Sequence, residues 1–109
     1  MGRVLEVCVD SVESAASAAR GGATRLELCA NLVIGGTSPD EDLFRMVRER
    51  VDIPIRVLLR PRFGDFLYSE DEFELLRRQV RRFAALGADG VVIGVLRPDG
   101  ALDEPRMAE

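Results

Sequence analysis

Histidine, lysine and tryptophan do not occur in these 109 residues, and all 15 basic side chains are arginine. Without histidine and lysine, the chain cannot supply a Ser-His or Cys-His pair, a histidine metal site or a Schiff-base lysine. The two cysteines are too few for the disulfide framework of a small secreted protein. Chemistry in this chain must therefore use carboxylates, arginines, thiols, hydroxyls or backbone groups.

The charge balance is mildly acidic, with 15 basic against 19 acidic residues and a formal net charge of −4. This balance argues against a nucleic-acid partner and against an anionic membrane surface, because both require an extended basic surface. No apolar run approaches the roughly 18 residues of a membrane span, and Glu6 interrupts any signal-peptide core. We therefore expect a cytoplasmic protein in which Cys8 and Cys29 are free thiols.

Short β-rich apolar segments alternate with longer helical patterns along the chain. Strands are predicted at residues 4–9, 25–30, 54–59 and 90–96, with three helices between them. Strict alternation of strand and helix favours parallel pairing through right-handed crossovers. After the fourth strand, Asp103 and Pro105 are typical of the opening of another helix.

Capping residues predict where the helices begin and end. The first helix is predicted to follow Asp10 and to stop at Gly21. Ser38 is the predicted N-cap of the second helix, and Ser69, with Glu72 three residues later, forms a predicted capping box for the third. The predicted buried stripes of the second and third helices are Leu43, Met46, Val47 and Val51, and Phe73, Leu76, Val80 and Phe83.

Alternation along the strands separates an apolar face from a polar face. A doubly wound sheet is apolar on both faces, so one polar face favours a (β/α)₈ TIM-type barrel with a polar interior. Such barrels need roughly 200 to 250 residues, so we expect residues 1–109 to form one partial barrel domain, a fragment with about four β/α units. The predicted interior side chains include Glu6, Cys8, Arg25, Glu27, Cys29, Arg56, Arg60 and Arg62.

Several motifs occur in register with one known family. They are Leu5-Glu6-Val7-Cys8-Val9-Asp10-Ser11, Gly21-Gly22-Ala23 with Leu26-Glu27-Leu28-Cys29, Arg60-Pro61-Arg62 with Gly64-Asp65-Phe66 and Tyr68-Ser69, and Gly87-Ala88-Asp89-Gly90 with Gly94-Val95-Leu96. Together they resemble the CutC family of copper homeostasis proteins. The resemblance implies a TIM barrel, a cytoplasmic homo-oligomer and a copper-related role, with Cys8 and Cys29 as the Cu(I) ligands. It implies no established catalytic reaction.

The blocks Leu5-Glu6-Val7-Cys8 and Leu26-Glu27-Leu28-Cys29 repeat one pattern 21 residues apart. If the two strands pair with these blocks side by side, the two thiols lie about 5 Å apart at the backbone. Two thiols at that spacing suit a soft ion such as Cu(I). The alternative is that both cysteines are small residues that fill the barrel interior.

Glu6 and Glu27 are candidate acid and base groups if the chain is an enzyme. In that alternative function, Arg25, Arg60 and Arg62 bind a small anionic substrate that bears a phosphate or a carboxylate. The competing interpretation is that these acids and arginines form structural ion pairs inside the barrel. A third alternative is a truncated product without function.

Overall fold

The computed structural model describes residues 4–62 and 67–93. Its elements, in chain order, are β1 (Glu6–Val9), α1 (Val12–Arg20), β2 (Arg25–Leu28), a 3₁₀ turn (Leu32–Ile34), α2 (Glu41–Arg50), β3 (Ile55–Leu58), α3 (Glu70–Leu86) and β4 (Gly90–Val92). The strands form one parallel sheet in the order β1-β2-β3-β4. The predicted alternation and parallel pairing are confirmed. Residues 94–96 of the predicted fourth strand and the predicted helix opening at Asp103 lie outside the described residues.

One face of the sheet is buried beneath the helices. Its apolar side chains join those of all three helices in a single core: Val9, Leu26, Leu28, Ile55, Val57 and Leu59 from the strands, and Ala15, Phe44, Val47, Leu76 and Phe83 from the helices. Among the described residues, no polar or charged side chain is buried. The predicted division into an apolar helical face and a polar opposite face is confirmed, except that Leu5 at the β1 edge is 52% exposed.

The first two helices begin differently from the prediction. Ser11, not Asp10, caps α1, because its hydroxyl accepts from the Ser14 backbone N–H while the Ser14 hydroxyl accepts from the Ser11 N–H. Asp40, not Ser38, caps α2, since its carboxylate accepts from the Leu43 N–H at 2.9 Å. Both helices therefore begin one or two residues later than predicted.

Ser38 has a different role from the predicted cap. Its hydroxyl accepts from the Arg60 backbone N–H at 2.7 Å and donates to Gln79 Oε1 at 2.8 Å. It thereby ties the end of β3 to α3. The predicted capping box of α3 is confirmed, because Ser69 and Glu72 exchange hydrogen bonds at 2.9 and 3.2 Å.

A polar clasp that the sequence did not reveal joins α2, β3 and β4. Asp89 Oδ2 accepts from the Ile55 backbone N–H at 2.8 Å and from Arg48 at 3.1 Å. Arg48 also donates to the carbonyls of Val51 and Ile53 at 2.8 and 2.9 Å. The clasp satisfies backbone groups where β3 begins, and so fixes the entry of that strand into the sheet.

The buried face of α2 differs from the predicted stripe in two residues. Phe44 is 1% exposed and packs edge-on against Phe83, with ring centroids 5.8 Å apart, whereas Met46 is 48% exposed. Phe44 is thus the aromatic contact between α2 and α3.

We expect Phe44→Ala to lower the free energy of unfolding by about 3–5 kcal/mol, because it removes a fully buried ring. Met46→Ala, on the same helix, is the matched control and should change it by less than about 0.5 kcal/mol. Urea unfolding followed by circular dichroism measures both. Equal losses for the two variants would contradict the observed orientation of α2.

Candidate functional site

The face of the sheet opposite the helices, here called the interior face, carries the chemically active side chains. Strand register arranges them in rows. Glu6 lies opposite Arg25 in one row, and the next row runs across all four strands as Cys8, Glu27, Arg56 and Gly90. A thiol, a carboxylate and a guanidinium group therefore occupy neighbouring positions of a single row.

The repeated blocks do not pair side by side, so the predicted 5 Å spacing of the two thiols is wrong. Cys8 lies opposite Glu27, and Cys29 is two residues further along β2. Strands about 4.8 Å apart and two residues at about 3.3 Å each place the two Cα atoms about 8 Å apart on a diagonal. The thiols share the interior face but must lean towards each other to hold one ion.

Hydrogen bonds at the start of the strands explain this offset. The Leu5 carbonyl accepts from the backbone N–H groups of Thr24 and Arg25, and the Leu5 N–H donates to the Thr24 hydroxyl at 2.7 Å. These bonds anchor Thr24 beside Leu5. A shift of two residues keeps every side chain on its own face, so the apolar pattern does not oppose it.

Cys8 is exposed and its thiol donates to Glu27 Oε2 at 3.5 Å. Partial burial raises the pKa of the Cys8 thiol, and the nearby Glu27 charge raises it further. The thiol therefore remains protonated at neutral pH, and Glu27 is the group that holds its proton in a hydrogen bond. This arrangement does not produce an activated nucleophile, which requires a lowered thiol pKa.

Cys29 is fully buried, and its thiol lies 3.5 Å from the Val9 carbonyl that accepts its hydrogen bond. Gly36 covers it closely, since a Cβ there would lie 3.7 Å from the sulfur and 2.9 Å from Leu58 Cδ2. Burial raises the pKa of the Cys29 thiol to about 12, with smaller contributions from Cys8, Glu27 and Asp10.

Two of the three arginines predicted to bind an anion are engaged on or beside the interior face. Arg25 Nε donates to Glu6 at 2.5 Å in a half-buried ion pair. Arg60 Nη1 donates to the Gly36 carbonyl at 3.1 Å and so holds the loop that covers Cys29. These contacts agree with the structural interpretation of Glu6, Arg25 and Arg60.

The third arginine, Arg62, is engaged at the start of α3. Its Nε donates to Glu72 at 2.6 Å, another nitrogen donates to the Leu67 carbonyl at 2.8 Å, and its guanidinium lies 5.2 Å from the centre of the Tyr68 ring. The hydrogen bond from Arg62 is the main cause that lowers the pKa of Glu72 to about 2. Arg62 therefore fastens the β3–α3 connection to the helix that follows it.

Arg56 was predicted to lie on the interior face, but its pairing with Gly90 could not be predicted from the sequence. Arg56 and Gly90 are neighbours in the same row as Cys8 and Glu27. A glycine at the first position of a predicted strand was the available signal, but only the register shows which side chain it faces.

Across the part of the chain that the structure describes, no group of three or more Cys, Asp or Glu residues is placed to hold a metal ion.

None of the described helices is both long enough and apolar enough to cross a bilayer.

The lowered pKa of Glu72 predicts that this carboxylate makes an acid-sensitive contribution to the free energy of unfolding. Its pKa is lowered from 4.5 to about 2 in the folded chain, so its contribution is complete above pH about 4.5 and is lost as the pH falls through about 2. We expect Glu72→Gln to flatten this part of the stability curve, measured by urea unfolding between pH 5 and pH 2. Glu49→Gln, which removes an exposed carboxylate from α2, is the control. An unchanged slope in Glu72→Gln would contradict the Arg62–Glu72 contact.

Solved structures with a similar fold include a CutC protein. The putative copper homeostasis protein CutC from Streptococcus agalactiae superposes with a TM-score of 0.85 at 26% identity, over 97% of this chain and 52% of that one. An N-acetylmannosamine-6-phosphate 2-epimerase from Clostridium perfringens superposes with a TM-score of 0.52 at 18% identity, over 98% of this chain and 41% of that one, which shows likeness of fold alone. The predicted TIM-barrel type of fold is confirmed, and the described residues supply four parallel strands and three helices of it.

Curated relatives point to the same family. The copper homeostasis protein cutC homologues of Mus musculus and Homo sapiens are each 50% identical over 103 residues, which cover 94% of this chain and 38% of theirs. A CutC family protein of Xanthomonas campestris pv. campestris is also 50% identical, over 94% of this chain and 43% of its own. The chain thus spans about two fifths of the length of these relatives. The CutC family model matches residues 3–109, and the chain therefore belongs to the CutC family.

Proposed function

We propose that this chain binds Cu(I) through Cys8 and Cys29, as part of a cytoplasmic copper homeostasis protein. One observation supports the proposal most directly: both thiols lie on the interior face, Cys8 in β1 and Cys29 directly after the neighbouring β2, two residues apart in register. Family membership supplies the link to copper homeostasis. Free thiols on this face also suit a reducing compartment.

The donor chemistry suits a soft monovalent ion better than zinc. Thiolates select Cu(I), whereas a structural zinc site requires four ligands. The described residues offer two thiols, and no third Cys, Asp or Glu joins them in a metal-holding group. The carboxylates that raise the pKa of the Cys29 thiol also favour a cation between the sulfurs.

Metal binding by these thiols requires the loss of their protons. Glu27 already accepts the hydrogen bond of the Cys8 thiol, so it is the nearest acceptor for that proton. Cys29 is fully buried and lies against Gly36, whereas Cys8 is exposed. Cys8 is therefore the ligand that an incoming ion meets first, and Cys29 completes the pair.

The alternative function, an enzyme for a small anionic substrate with Glu6 or Glu27 as acid or base, has less support at the predicted positions. Arg25, Arg60 and Arg62 all donate to groups of the protein itself. Assembly into a homo-oligomer remains part of the copper proposal and rests on the family resemblance.

We expect one Cu(I) per chain in a competition titration against a colorimetric Cu(I) chelator under anaerobic conditions. Cys8→Ser should weaken the affinity by more than the roughly 10- to 100-fold that loss of an outer-shell partner costs. Affinity should rise with pH between 6 and 8, because the raised pKa values of both thiols make the proton a competitor.

Matched variants make the copper test specific. Met46→Leu removes an exposed sulfur from α2 and should bind Cu(I) like the unmodified chain. Cys29→Ala tests the buried ligand, and circular dichroism shows whether that variant keeps its fold. Unchanged affinity in folded Cys8→Ser and Cys29→Ala would exclude the thiol site.

A further inference from the structure

Both edges of the sheet carry backbone groups that have no strand partner among the described residues. In the order β1-β2-β3-β4, each outer strand has one strand neighbour. The Val9 carbonyl accepts a hydrogen bond from the end of β2, so Cys8, the residue before it, directs its backbone N–H and carbonyl away from β2. The Val92 carbonyl accepts from the end of β3, so Val91 directs its backbone groups away from β3.

The two outer strands have few of the features by which edge strands avoid pairing. Natural edges are usually protected by charged residues, by proline or by a covering element. β4 contains neither a charge nor a proline. β1 contains one charged residue, Glu6, which Arg25 holds in an ion pair. Both strands are therefore suited to pair with a further strand.

Apolar side chains at the two edges are also incompletely covered. On the inner strands Leu26 and Ile55 are inaccessible to solvent, whereas Leu5 beside β1 is 52% exposed and Val91 of β4 is only partly buried. Exposed apolar surface beside unpaired backbone groups is typical of an interaction site. The partner of each edge is therefore expected to be a β/α unit, which supplies a strand and an apolar helix together.

A second copy of this chain fits both edges at once. The four strands are parallel and their helices pack on one face, which is the arrangement of half of an eight-stranded barrel. Rotation of a second copy by half a turn about the barrel axis brings β4 of each copy beside β1 of the other, in parallel. The chain superposes on 52% of the Streptococcus agalactiae CutC chain, so a second copy is close in size to the remaining part of that chain.

We propose that two copies of this chain close one eight-stranded barrel through two identical β4–β1 junctions. The inference rests on the homo-oligomer of the proposed function and gives that assembly its interface, without requiring copper. Closure places Cys8 and Glu27 of both copies on one shared interior face. Cys8, which is exposed in a single copy, is enclosed in the closed barrel.

Sedimentation velocity of the metal-free, reduced chain tests this assembly. The unmodified chain should sediment as a dimer at tens of micromolar. Val91→Pro and Cys8→Pro should each shift it towards monomer, because proline removes the outward N–H of one edge and leaves the bonds to the inner strand. Glu70→Pro, at the first position of α3 where proline is tolerated, is the control and should remain dimeric.

A mixture of the two edge variants identifies the junction. In a dimer of either variant alone, each of the two junctions contains a proline. In a mixed dimer one junction contains both prolines and the other contains none, so the mixture should dimerise more strongly than either variant alone. The comparison uses variants whose circular dichroism matches that of the unmodified chain.

The reactivity of Cys8 provides a second measurement. Alkylation of this exposed thiol should slow as the concentration of the unmodified chain rises, because dimerisation encloses it. A rate that does not change while the chain dimerises would contradict closure around the interior face.

The remaining outcomes also decide the proposal. A monomeric unmodified chain, or a dimer that neither edge variant weakens, would overturn it. Loss of the dimer in Cys8→Pro alone or in Val91→Pro alone would indicate β1–β1 or β4–β4 pairing and would overturn it as well. Copper is absent throughout, so a failure here does not affect the Cu(I) titration, and a failure of the titration does not affect this result.

Discussion

Burial of one face of the parallel sheet constrains every other feature of this chain. Leu26, Leu28, Ile55 and Val57 are inaccessible to solvent, and the three helices pack on them together. Because side chains alternate along a strand, the residues between these positions must face the opposite side. The polar interior face is therefore a direct result of the hydrophobic packing, and no separate interaction is needed to orient Glu27 or Arg56.

The sequence was sufficient to predict the order of elements, the parallel pairing and the two faces, because each depends on local periodicity. It was not sufficient to predict the register of β1 and β2. Two residues of offset preserve the same faces, and the choice between the registers depends on the contacts of Leu5 with Thr24. Ser38 illustrates the same limit. Both Ser38 and Asp40 are residue types that cap helices, but Ser38 hydrogen-bonds with the distant Arg60 and Gln79, and Asp40 caps α2.

The candidate site shows that the structural role of each arginine depends on its contacts in the folded chain. Arg56 lies within β3, and Arg60 and Arg62 follow the same strand. Alternation along the chain predicts the same face for all three. In the folded chain Arg60 holds a loop, Arg62 holds a helix start, and Arg56 lies over a glycine on the next strand. These assignments depend on which strand is adjacent and at which residue, and both properties arise only from tertiary structure.

Gly36 has a consequence for how substitutions in its loop would be tolerated. Its φ angle is +90°, and Leu58 Cδ2 lies 2.9 Å from where a methyl group would begin. Alanine there would meet an unfavourable backbone conformation, and the end of the Leu58 side chain would have to move to admit the methyl group. Gly36 lies directly against Cys29, whose sulfur is shielded from water. The shielding of that sulfur therefore depends on residue 36 having no side chain.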